Sequence, residues 1–234
     1  KFARPINKFN KFLHDTSTIL RIASVSKSFC ALLMLKLIEE GYFKLDDPIE
    51  KYLPEIKQLN GYSDSTKITF QQLASHTAGL ARTSNHAKRE YKGSPATWET
   101  KTLSAIPHTK FICRPNSKMS YSNVGYAFLA LAMSRAANTP YIKLITEKIF
   151  IPLKMNNTYF EVPESKLNYL ADGTCDVGMF NHKNTKVPKK EHKGIGNNLP
   201  SGGIYSTASD LTKFLTVLMG TSKQKIISDT SLRL

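Results

Sequence analysis

The amino-acid sequence predicts a helix-rich α+β fold, on three observations. Five stretches carry helical periodicity or helical boundary signals. Strand-like runs are few and short. And 41% of the 234 residues are apolar, enough for the core of one large domain or two small ones. No internal repeat divides the chain, and no apolar run approaches the roughly 20 residues that cross a bilayer as a helix.

The elements follow in chain order. "TSTILRIA", residues 16–23, is the first strand candidate. Residues 24–40 read as a helix apolar around most of its circumference (Phe29, Leu32, Leu33, Leu35, Leu37, Ile38), which marks it as buried, with Gly41 as its stop. "KLDDPIEKYLPE" is a turn-rich passage with a short helical piece. A second helix starts at Thr69, where Thr69 and Gln72 have capping-box spacing, and ends near His76. Residues 81–120 are polar and irregular and carry no pattern that orders them. Helices are expected over about 122–137, ending before Asn138 and Pro140, and over about 141–150. "NTYFEV", 157–162, is the second strand candidate. The cleanest helix is the last: Thr207 and Asp210 cap it, Leu211, Phe214, Leu215, Leu218 and Met219 fall on one face, and Gly220 ends it.

Lysine plus arginine (33) exceed aspartate plus glutamate (18), for a net charge of +15. Such a chain attracts anionic partners at long range. The densest basic run, "NHKNTKVPKKEHKG" at 181–194, has no apolar periodicity and reads as a solvated loop or as a contact for an anionic cell wall, membrane surface or nucleic acid. Aromatics do not interleave with its lysines, so there is no stacking platform and no specific nucleic-acid partner is expected. The opening "KFARPINKFNKF" has no apolar centre of the kind a secretory leader carries. The three cysteines, Cys30, Cys113 and Cys175, are widely spaced and form no CxxC pair. Cys30 reads as a small core residue, and a Cys113–Cys175 disulfide is left open. The histidines are scattered with no HExxH, and the serine chemistry considered below needs neither a metal nor an organic cofactor.

"RIASVSKSFCALLML" raises the chemical question. Ser24 and Lys27 stand three apart at the entrance to the buried helix. A serine hydroxyl is a weak nucleophile until a base takes its proton, and a lysine is such a base only when neutral. Burial and the positive end of a helix both lower an ammonium pKa. Taken alone, the pair is equally well explained as chance plus a snorkelling lysine. A second SxxK, Ser222 and Lys225, leads into no apolar run and reads as surface. In "MSYSNVGYAFLALA", Tyr121 and Asn123 present a phenol and an amide at the opening of another helix. The phenol can shuttle protons beside a lysine charge, and the amide can hold a lysine and a substrate carbonyl. Each also has a plain reading, as a half-buried aromatic and as a helix cap.

Six segments in order, "RIASVSKSF", "DDPIEKYLPE", "ITFQQLASHTAGL", "MSYSNVGYAFLALA", "IFIPLKMNNTYF" and "PSGGIYSTASDLTKFL", closely resemble the serine β-lactamase-like family over roughly residues 15–232. That family includes class C β-lactamases, D-alanyl-D-alanine carboxypeptidases, D-aminopeptidases, family VIII esterases and the mitochondrial LACTB-type proteins. The resemblance implies a β-lactamase/transpeptidase-like α+β fold, a helical region packed on an antiparallel sheet, in a single domain over 1–234. It implies that Ser24 is the acylated nucleophile and Lys27 accepts its proton. Tyr121 would serve the leaving group as general base and acid, Asn123 would orient Lys27 and the substrate amide, and the Ser24 backbone N–H would supply half of an oxyanion hole. His76, Gly202 and Gly203 would be structural. The implied activity is a serine hydrolase that acylates on amide or ester carbonyls of a D-amino-acid peptide, a β-lactam or a small ester; the alternative is a non-catalytic relative that binds through the same pocket. Envelope, periplasmic or secreted location is implied, or mitochondrial for a LACTB-type protein.

Two departures from the family pattern follow. Asn116 stands in the glycine slot of a Pro-Gly that precedes the Tyr-x-Asn, a mild change because asparagine tolerates left-handed backbone angles. No Lys-Thr-Gly or His-x-Gly follows residue 203, so the third motif and terminal sheet strands are expected to be missing from this chain at both ends.

Overall fold

The structure is a computed structural model that describes residues 15–171, 173–176, 184–187 and 195–233, the segments 173–176 and 184–187 as backbone. Strand β1 (Leu20–Arg21) leads through a 3-10 turn at Ala23–Val25 into helix α1 (Ser26–Glu39). Helices α2 (Phe70–Ala74), α3 (Ala87–Glu90), α4 (Trp98–Ala105), α5 (Asn123–Ala136) and α6 (Tyr141–Ile145) follow. After them come a β2 (Gly173–Asp176) and β3 (Asn184–Val187) hairpin, α7 (Leu199–Gly202), β4 (Tyr205–Ser206) and α8 (Ala208–Leu218).

α1 and α5 form the centre. Phe29, Cys30, Leu33 and Leu37 of α1 and Phe128, Leu129, Ala132 and Met133 of α5 are completely shielded from solvent. Neither helix has the one-sided stripe of a surface helix, because each is packed around most of its circumference. Phe29 stacks on Phe214 of α8 with ring centres 3.7 Å apart and meets Phe150 edge-on at 5.8 Å, so α8 and the segment after α6 close over α1. The short α7 packs against both α1 and α5.

Local sequence explains most boundaries. Thr69 and Gln72 form the reciprocal capping box, with bonds of 3.0 and 3.3 Å. Gly41 and Gly220 adopt left-handed φ of 79° and 68° and stop α1 and α8. Thr207 caps α8 by accepting the Asp210 N–H at 3.2 Å. The Asp210 carboxylate points inward instead, taking the Asn157 N–H at 2.8 Å and the Thr158 hydroxyl at 3.0 Å, with Lys213 at 2.7 Å. That ties α8 to the 157–158 segment.

The strands depart most from expectation. β1 falls inside "TSTILRIA" and pairs antiparallel with β4, Leu20 opposite Ser206 and Arg21 opposite Tyr205. Among the described residues "NTYFEV" contributes the single bridge Tyr159–Tyr205, with Asn157 and Thr158 committed to Asp210. β4, in "IYSTAS", was hidden by the glycines before it and the cap after it. The helix expected over 141–150 is regular to Ile145 and continues as a wider π turn, Thr146–Phe150. The unordered region 81–120 holds α3, α4 and three-residue turns. The architecture is a helical region on antiparallel strands, as expected, and the sheet among the described residues is small. The basic run 181–194 lies outside the described residues except for the β3 backbone. Cys113 pairs with no cysteine among the described residues, and the Cys175 side chain lies outside them.

Candidate active site

Ser24 sits in the 3-10 turn ahead of α1, not on the helix itself. The expectation of a helix from residue 24 fails because Ala23 takes a positive φ of 46°, which breaks the helical path before α1 can begin. Ile22 and Ser26 fix the turn on either side: the Ile22 N–H donates to the Ile204 carbonyl at 3.0 Å, and Ser26 Oγ accepts the Ile204 N–H at 3.1 Å. Ser24 is left exposed between them.

Lys27, in the first turn of α1, is only 6% exposed. Its Nζ donates to the Ser201 carbonyl of α7 at 2.8 Å and lies 3.4 Å from Ser24 Oγ. The rings of Tyr121 and Tyr126 lie 4.8 and 5.6 Å from it. Burial is the chief cause that pulls its pKa below 10.5; Tyr121 opposes the shift and the Arg82 charge adds to it.

Tyr121 donates its hydroxyl to Ser24 Oγ at 2.9 Å. Burial pushes its pKa up, but the Lys27 amine, the Ser24 hydroxyl and the Arg82 charge together outweigh that and leave it below 10. One serine oxygen therefore meets an amine and a phenol from separate elements. The turn that carries Tyr121 is sewn to 76–82. Ser120 N–H donates to the His76 carbonyl at 2.7 Å, Ser122 N–H to His76 Nδ1 at 3.1 Å, Ser122 Oγ to the Ala81 carbonyl at 2.8 Å, and Asn123 N–H to the Arg82 carbonyl at 2.9 Å. His76, itself at φ 61°, is thus a positioning residue, in line with the structural role expected for it. Burial, and then Lys27, push its pKa down to about 4, so it is a neutral acceptor at pH 7.

Asn123 does not reach Lys27: no hydrogen bond joins them. Ser122, not Asn123, caps α5 by accepting the Gly125 N–H at 2.9 Å. The Asn123 amide lies beside the Tyr91 hydroxyl, partly offsetting the rise that burial gives Tyr91, although no hydrogen bond closes there. The second SxxK is surface: Lys225 pairs with Asp229 at 2.7 Å, and the Ser222 hydroxyl bonds the backbone of Gln224, two residues on. Asn116 takes φ 62°, the conformation a glycine would supply.

Three contributors were missed in the sequence. Ser201 acts through its carbonyl, which no side-chain pattern announces. Tyr126, hydrogen-bonded to the Ala74 carbonyl at 2.8 Å, reads in sequence as one more core aromatic of α5. Arg82 stands 4.9 Å from the Tyr121 ring centre and lies in the stretch 81–120 that carries no ordering pattern in sequence.

The chain matches the family model described as Beta-lactamase over residues 7–233. It is 36% identical over 216 residues to Beta-lactamase-like protein 4 of Dictyostelium discoideum, a match covering 88% of this chain and 37% of that protein. It is 30% identical to the D-alanyl-D-alanine-carboxypeptidase/endopeptidase AmpH of Escherichia coli, covering 88% of this chain and 50% of AmpH. The solved beta-lactamase/D-alanine carboxypeptidase of Yersinia pestis, complexed with citrate, superposes with a TM-score of 0.73 at 30% identity, over 96% of this chain and 60% of that one. The chain thus spans half or less of the length of these two curated relatives.

Proposed function

The chain belongs to the beta-lactamase family, and we propose that it is a serine hydrolase that forms an acyl-enzyme at Ser24 on an amide or ester carbonyl. The observation that carries this reading is the meeting of Lys27 Nζ, 3.4 Å away, and the Tyr121 hydroxyl, 2.9 Å away, on one exposed serine oxygen. Ser24 Oγ attacks the carbonyl carbon as its proton passes to neutral Lys27. A neutral amine has two N–H groups and one lone pair; one N–H is held by the Ser201 carbonyl, which leaves the lone pair free for Ser24. Tyr121, set against the same oxygen, exchanges a proton with the leaving group. The Ser24 N–H is the proposed donor to the oxyanion, where a fixed dipole stabilises charge as it develops.

A D-amino-acid peptide, a β-lactam and a small ester all present a carbonyl that suits this attack, and no metal or organic cofactor takes part in it. The second reading, a pocket that binds without turnover, draws on Asn123, whose side chain faces Tyr91 rather than Lys27. Labelling separates the two. Incubation with a fluorescent penicillin or a fluorophosphonate should add one adduct mass to the wild type and none to Ser24→Ala. A wild type that takes neither label, or a Ser24→Ala variant that takes them equally, ends the hydrolase proposal.

A further inference from the structure

Arg82 is anchored by its backbone, whose carbonyl takes the N–H groups of Asn123 at 2.9 Å and Val124 at 3.4 Å. Its side chain is exposed, with the guanidinium carbon 4.9 Å from the centre of the Tyr121 ring. Among the described residues that guanidinium has no hydrogen bond and no ion pair. Arg135, by contrast, is bidentate on Glu55, at 2.5 and 2.9 Å. Unpaired cations are common on a chain of charge +15; what distinguishes this one is its place. The Tyr121 ring carries Lys27 at 4.8 Å as well, and its hydroxyl reaches Ser24. Two cations flank one phenol, and among the described residues no acidic side chain pairs with the outer one.

A guanidinium is a planar fork of donors matched to a carboxylate, always charged, and weakly enough hydrated to pair as a cleft sheds water. We propose that Arg82 is a specificity-determining residue whose guanidinium binds a carboxylate on the leaving group of the substrate, close to the bond that Ser24 attacks. The inference rests on the serine-hydrolase reading. Arg82 lies on the leaving-group side because it rests on the ring of Tyr121, the group that exchanges a proton there. An uncharged leaving group leaves Arg82 unpaired and reacts more slowly.

Two thioesters of the same acyl group test this, one with thioglycolate as leaving group and the other with its methyl ester. In both, the Ser24 Oγ–carbon bond forms, the carbon–sulfur bond breaks, and the serine proton is relayed through Lys27 and Tyr121 to the departing thiolate. Released thiol is measured by chromatography. Thioglycolate is intrinsically the poorer leaving group, so the quantity read is the change in the carboxylate-to-ester rate ratio. Arg82→Gln should lower that ratio about tenfold or more, the scale of a charged hydrogen-bonded pair; Arg82→Lys should keep part of it, and salt should erode it in the wild type. A ratio unchanged in Arg82→Gln, even with both rates lower, overturns the proposal, since a purely structural or electrostatic effect on Tyr121 acts alike on both compounds. A wild type that reacts with neither thioester nor a fluorophosphonate removes the hydrolase reading and this inference together.

Discussion

His76 holds the turn that carries Tyr121, and its substitution by asparagine isolates one electrostatic contribution to stability. In the folded protein the imidazole titrates near 4, against 6.5 when exposed, because it is shielded from water and lies near Lys27. As pH falls below 6.5 the unfolded chain binds a proton that the folded chain refuses, so stability drops down to about pH 4, below which both forms are protonated. That displacement sets a ceiling of about 3 kcal/mol, and partial exposure of the ring brings the expected loss to about 1–2 kcal/mol. His76→Asn keeps an acceptor for the Ser122 N–H and tolerates the left-handed φ of 61°. Its stability, from urea unfolding at pH 7.5, 6, 5 and 4, should fall less steeply than that of the wild type across this range, by about 1–2 kcal/mol. Parallel curves for the two proteins would refute the account of a neutral, shielded imidazole.

Lys27→Arg should slow acylation by about 100-fold or more, because a guanidinium does not become neutral in a protein; a stopped-flow rate near wild type would remove Lys27 as the base. Wild-type acylation should rise with pH as Lys27 loses its proton, with its midpoint below 10.5, and a rate flat from pH 6 to 10 would contradict that. Gly196→Ala should destabilise by about 2 kcal/mol or more: φ there is +53° and the new Cβ would collide with the Glu90 carbonyl oxygen. Leu33→Ala should cost about 2–5 kcal/mol in urea unfolding, since that side chain is completely buried in the centre of α1.

Helices and their ends were legible where the cause was local. Thr69 with Gln72, Thr207 ahead of an apolar stripe, and Gly41 and Gly220 each act through neighbours a few residues away, so the linear sequence carries the information. The strands were not: β1 and β4 are two residues each and exist through pairing across some 185 positions, and the 81–120 segment takes its shape from contacts such as the Asn60 N–H to the Thr109 carbonyl, 3.0 Å apart.

The candidate site divides in the same way. Sequence by itself determined which groups are available: Ser24 three residues from a lysine that must enter the core, and a phenol and an amide two residues apart at a helix start. Only the tertiary structure decided how they are arranged. It turned the Asn123 side chain to Tyr91, lent the Ser201 carbonyl to Lys27, and stood Arg82 over the Tyr121 ring. Composition and spacing are properties of adjacent positions, whereas the direction of a side chain, and the water and charge around it, are set by distant segments that only folding brings together.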